Sequence, residues 1–121
     1  MRDLATPSFL IFPNTVLILH PDYTSVLVMT PLAVDRVRFE HTLIVPRDRA
    51  GAALADHYAA SFELIEGGVF QAEDLAACES IQRGLAAGAD DALVCGGLER
   101  AVPRFHRAID DAIEREIARG A

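Results

Sequence analysis

The run VFQAEDLAACESIQRGL, Val69 to Leu85, decides how this chain is read. Its spacing is helical, and it carries an acid where an apolar stripe belongs. At about 100° per residue, Leu75, Cys78, Ile81 and Leu85 gather on one face. Asp74 falls inside that face, one turn before Cys78, and Gln71 and Gln82 share its arc. Glu73, Ser80 and Arg83 point elsewhere. A carboxylate on an apolar stripe is costly unless it is paired, hydrogen-bonded or held by a metal. Two readings fit. Asp74 is an inward-facing functional acid with Glu73 in solvent, or it is a first-turn residue whose oxygens meet the free N–H groups of a helix start.

The flanking segments set the fold class. Phe9 to Phe12 and Val16 to Leu19 read as strand pieces around a Pro13-Asn14 turn, because proline cannot donate to a ladder. Pro21-Asp22 is a second turn signal. Val26 to Met29 is the next strand and Asp35-Arg36 the next turn. Val37 to Val45 is the longest strand, with Val37, Phe39 and His41 alternating against Arg36, Arg38 and Glu40. Residues 1 to 7 read as a frayed start. Short runs separated by turn residues predict an antiparallel meander. After Pro46 the character changes. Ala52 to Ile65 carries a helical stripe through Leu54, His57, Tyr58, Phe62 and Ile65, and Gly67-Gly68 reads as its stop. The central helix ends near Ala87-Gly88. A loop from Gly88 to Gly97 holds Asp90-Asp91. Pro103 suits the first turn of a last helix, with Val102, Phe105, Ile109 and Ile117 in its stripe. Strands first and helices after define an α+β domain: a four-stranded antiparallel sheet followed by three helices, read as a single domain over residues 1–121.

Composition bounds the function. The 121 residues are 51% hydrophobic and 24% charged, so the chain is globular. A net charge of −7 argues against a nucleic-acid surface and against an anionic membrane surface. All eleven basic residues are arginine. The apolar stretch Phe9 to Leu19 is interrupted by Pro13-Asn14 and too short to span a bilayer. MRDLATPS has no signal-peptide pattern, and the expected location is cytoplasmic. Cys78, on the central helix, reads as a small packed hydrophobe, and Cys95 lies in a glycine-flanked loop. A disulfide between them has no support in the pattern.

A family resemblance is carried by Glu73-Asp74, Glu79 and Gln82-Arg83-Gly84-Leu85. Phe12-Pro13-Asn14 upstream extends it, as do Pro31-Leu32 with the Asp35-Arg36 turn and the strand Arg38-Phe39-Glu40. Glu99 and Phe105-His106-Arg107 close it. Together they resemble the C-terminal part of the catalytic domain in alpha subunits of Rieske-type non-haem iron oxygenases, the aromatic ring-hydroxylating dioxygenases and their choline- and carnitine-oxidising relatives. The likeness covers nearly all of this chain but only the last portion of a family member. It implies part of a helix-grip (START/Bet v 1-like) fold and an oxidoreductase of aromatic compound catabolism. It implies mononuclear Fe(II) held by two histidines and a carboxylate, with Asp74 at the carboxylate position. It also implies a substrate pocket walled by Phe12, Asn14, Leu17 and Phe70, for a small aromatic or quaternary-amine substrate.

The departures matter as much. His20, His41, His57 and His106 include no pair at short ligand spacing. Neither cysteine stands in a Cys-x-His or Cys-x-x-His pair, so this chain has no ligand set for a 2Fe–2S cluster. No phosphate loop or nucleophile elbow appears. Glu73 and Asp74, adjacent on a helix, point about 100° apart and do not make an acid/base pair. Two readings follow. The chain supplies the carboxylate ligand and pocket walls to a site completed by a polypeptide carrying the missing N-terminal part, and is inactive alone. Alternatively it is a stand-alone, non-catalytic remnant serving as a small binding or assembly module. Both readings expect self-association, since a partial sheet leaves an open edge.

Overall fold

The computed structural model describes residues 5–88 and 94–120. The expected frayed start lies partly, and Asp90-Asp91 wholly, outside the described residues. The chain divides into two compact units, Met1–Ala89 and Asp90–Ala121.

The first unit begins with an antiparallel meander in the order β1-β2-β3-β4: β1 Ser8–Ile11, β2 Thr15–Leu19, β3 Thr24–Ala33 and β4 Arg36–Ile44. The turns fall where the breakers stand. Phe12, Pro13 and Asn14 connect β1 to β2 through a cis Phe12-Pro13 bond, and Pro21-Asp22 lies between β2 and β3. β3 is longer than the apolar run Val26 to Met29, because Pro31 and Leu32 continue it through a register shift before Ala33. Bulges are where a sheet accommodates proline.

Pairing register assigns the two faces. Val16 pairs with Leu27, Leu27 with His41, and Met29 with Phe39. Directly paired residues point the same way, so Val16, Leu27, Met29, Phe39 and His41 share one face. Leu17, Val26 and Thr42 share the other. Leu27 and Ser25, on the first face, are buried.

A single continuous helical path follows β4. Short 3-10 turns at Arg47–Arg49 and Ala52–Leu54 lead into α1, Ala55–Glu63. The path then widens into a π-helical segment, Leu64–Asp74, and tightens again into α2, Leu75–Ala86. The sequence predicts a break at Gly67-Gly68, and there is none. A glycine stop uses the left-handed conformation, and among the described residues only Gly88 has positive φ, at 71°. Gly67 and Gly68 stay helical, so the two expected helices are one. Gly88 is the real stop, donating its N–H to the Leu85 carbonyl at 3.0 Å. The three helices expected from sequence are therefore two helical bodies, and the class remains α+β.

The second unit contains α3, Ala101–Gly120. Its start is tied by Val102 N–H to the Glu99 carbonyl at 3.0 Å, and Pro103 sits in its first turn, as expected from its missing donor. No helix among the described residues is long and apolar enough to cross a membrane.

Candidate functional site

The π winding governs which side chains reach the sheet. It closes i→i+5 hydrogen bonds rather than i→i+4, and side chains four and five residues apart along it reach the sheet. Ile65 and Leu75 are half-buried and Phe70, midway between them, is 6% exposed. Glu66 joins this inward set. Phe70 meets Phe39 edge-to-face at a centroid distance of 5.0 Å and His41 at 5.2 Å.

His41 is the centre of the covered face. Its side chain is 1% exposed, and both ring nitrogens are engaged. Nδ1 lies 3.0 Å from Glu66 Oε2 and Nε2 lies 3.1 Å from Ser25 Oγ. An ionised carboxylate only accepts, so Nδ1–H donates to Glu66, and in the neutral ring Nε2 accepts the Ser25 hydroxyl proton. The Phe62 ring stacks on the imidazole at 4.9 Å and 5°. Ser25 is 0% exposed, so its hydroxyl is closed to a substrate and the trio is a packed polar network rather than a nucleophilic triad.

Asp74 is placed differently from the expectation. It is exposed, as is Glu73, whereas the wheel put Asp74 inward. The wheel assumed that the stripe Asp74 shares faces a core, and that stripe is itself open: Cys78 is exposed, and Ile81 and Leu85 are 62% and 57% exposed. The alternative reading also lacks its geometry. Asp74 has helical backbone angles, continues a helix rather than starting one, and makes no side-chain capping bond.

The expected pocket residues do not converge. Phe12 and Asn14 lie in the β1–β2 turn, where the Asn14 carbonyl accepts from Met29 N–H at 2.9 Å. Phe70 packs on the covered face. Leu17 is on the opposite face by register, so one cavity does not take both Leu17 and Phe70. One cavity that the first unit forms is an open groove of about 550 Å³ between the β3–β4 turn and α2. Val37, Phe39 and Leu75 give it an apolar floor, and Arg36 and Arg83 rim it. Cys78 lines it and is exposed rather than packed, and Cys78 and Cys95 are both free.

The remaining histidines are dispersed. His57 Nε2 lies 2.6 Å from Asp22 Oδ2, tying α1 to the β2–β3 turn. His20 stacks on Tyr23 at 4.2 Å. Burial pushes the His20 imidazole below its ordinary value; Asp22 opposes that shift and His41 adds to it. Burial, with Asp22, pushes the Tyr23 phenol up. His106 is exposed on α3. Among the described residues no group of three or more His, Cys, Asp or Glu side chains is placed to hold a metal ion. The described residues therefore do not fit an iron site by themselves; Asp74 offers one carboxylate, and no ligand set is assembled among them.

Sequence reasoning missed Ser25 and Glu66 and gave His41 no role. One signal was available: His41 occupies an apolar-face position in the alternation of β4, where a polar ring requires partners. No curated protein and no solved structure matches this chain. Residues 2–115 match the family described as ring hydroxylating alpha subunit (catalytic domain). That match spans the sheet, the long π-wound helix and most of α3, so the chain belongs to the catalytic-domain family of ring-hydroxylating alpha subunits.

Proposed function

We propose that this chain is the C-terminal catalytic-domain segment of a Rieske-type non-haem iron ring-hydroxylating oxygenase alpha subunit, contributing the carboxylate ligand Asp74 to a site it does not complete. The observation that carries the reading is the family match over residues 2–115. The exposure of Asp74 at the end of the π-helical segment supports it, since an outward carboxylate is open to ligands from outside these residues. In this reading the sheet and long helix are part of a helix-grip domain, and residues 1–121 belong to one domain. The paired histidines and the 2Fe–2S cluster come from a polypeptide carrying the N-terminal part. Fe(II), when bound by two histidines and Asp74, has open positions for oxygen. Phe12 and Asn14, on the β1–β2 turn, are pocket walls for a small aromatic or quaternary-amine substrate, and the assembly is a cytoplasmic oligomer acting in aromatic catabolism.

The test is Asp74→Asn in the assembled oxygenase, formed with the polypeptide that supplies the histidines. A neutral amide is a poor substitute for an anionic ligand, so iron content and hydroxylation fall together. Full iron content in Asp74→Asn ends the reading. A second reading, a stand-alone binding or assembly module without iron chemistry, is favoured by one observation: the described residues bring no three ligands together.

A further inference from the structure

The sheet has two open edges, and their backbones differ. Met29 N–H donates to the Asn14 carbonyl at 2.9 Å, so Met29 spends its backbone groups on the β2 side. Hydrogen bonding alternates along an antiparallel strand. Val28 and Thr30 therefore bond β4, through their partners Glu40 and Arg38. That turns the N–H and C=O of Val37, Phe39 and His41 outward, away from β3. None of these groups meets another backbone group among the described residues. At the far edge, Leu19 N–H donates to the Pro7 carbonyl at 3.0 Å, and the same alternation leaves β1 only Ser8 and Leu10 facing outward.

Charge gives the β4 edge a register. Arg38 and Glu40 lie on the face opposite His41, 3.4 Å apart and each more than half exposed. A second copy that continues the sheet antiparallel is related by a two-fold axis normal to it. Each residue then opposes one on its own face. With the axis at Phe39, Arg38 opposes the partner's Glu40, Val37 opposes the partner's His41, and the two Phe39 residues oppose each other. The outward backbone groups fall on the hydrogen-bonded pairs. Arg38 and Glu40 fall on the non-bonded pairs, where side chains come closest. The two ion pairs join into a square of alternating charge, and opposite charges directly across a ladder stabilise it. An axis at Arg38 sets arginine against arginine, and one at Glu40 sets glutamate against glutamate.

We propose that the free edge of β4 binds a second copy of this chain, antiparallel and centred on Phe39, joining two four-stranded sheets into one of eight strands. This specifies the oligomer of the proposed function and uses nothing of the ligand role of Asp74. β1 carries no charge and adds association without a fixed register.

Sedimentation of the full chain reads the dissociation constant. Arg38→Glu and Glu40→Arg each set like charges across the axis and weaken the dimer by about ten-fold or more. The double variant Arg38→Glu/Glu40→Arg restores it. Both side chains are exposed, so the fold stands in all three, which amide exchange of β2 and β3 checks. A nitroxide at Thr42→Cys, with Cys78 and Cys95 replaced by serine, reads the register. Thr42 is exposed and three residues from the axis, so the two labels stand about 20 Å apart, and each one-residue displacement of the axis changes that by about 7 Å. Single variants that dimerise as well as the parent, a double variant that stays weak, or labels at another separation overturn the proposal. So does a chain that stays monomeric; if β4 then gains amide protection only in complex with the polypeptide carrying the paired histidines, the edge belongs to that polypeptide. None of these outcomes touches Asp74, whose reading fails separately on full iron content in the Asp74→Asn oxygenase.

Discussion

His41 illustrates how a single strand position ties this chain together. Its ring is closed off from water, and each nitrogen has one partner. Removing one partner leaves the other polar group buried and unpaired, which costs about 1–3 kcal/mol, more than the bond contributes when made. Glu66→Ala should therefore lower unfolding stability in urea by about 1–3 kcal/mol, and Ser25→Ala by about 1 kcal/mol; no change in either would mean the network carries no stability. His20 makes a second prediction. Its imidazole is pushed down by burial, so the folded state binds its proton less readily than the unfolded chain. Stability then rises with pH through the window just below the ordinary histidine value of about 6.5 and falls as pH drops through it. Urea midpoints at pH 5 and pH 7.5 should differ less in His20→Gln than in the parent. At this level the sequence revealed half of the pattern. Alternation along β4 placed His41 inward, but its partners are 16 and 25 residues away in sequence, and no local pattern announces such a pairing.

The π-helical segment is where local reading failed. Strands and turns were legible because their signals are local: Pro13-Asn14 and Asp35 break the runs, and Gly88 ends the helix with the positive φ that glycine tolerates. Gly67-Gly68 gives the same composition signal without the same backbone. The wheel also took the stripe of Cys78, Ile81 and Leu85 to face a core, but these residues are exposed, and Asp74 with them. Two glycine substitutions separate these roles. Gly67→Ala has room for its Cβ and keeps helical angles, so it should stabilise by about 0.4–1 kcal/mol through a less flexible unfolded chain. Gly88→Ala must place a Cβ at φ 71° and should destabilise by about 1–2 kcal/mol. Thermal unfolding of both variants checks the pair, and a loss at Gly67 comparable to that at Gly88 would contradict the continuous helix.

The described residues bury little. Leu27 and Phe70 are the buried hydrophobics, while Phe9, Leu10 and Ile11 of β1 are about half exposed. β1 and β4 each have one strand neighbour, leaving unpaired edges that favour association. The chain alone should self-associate in a concentration-dependent way by sedimentation, and Ile11→Lys should weaken it. A monomer at high concentration would show that the sheet closes by other means. The proposed function turns on metal binding, because several pre-placed ligands are needed for it to be firm and the described residues bring no three such side chains together. The decisive measurement is iron retained per chain after anaerobic ferrous loading and desalting, made on this chain alone and on its complex with the polypeptide carrying the paired histidines. Far less than one iron on the chain alone, and one in the complex that Asp74→Asn removes, is the expected result. Stoichiometric iron on the chain alone, or in the Asp74→Asn complex, would contradict it.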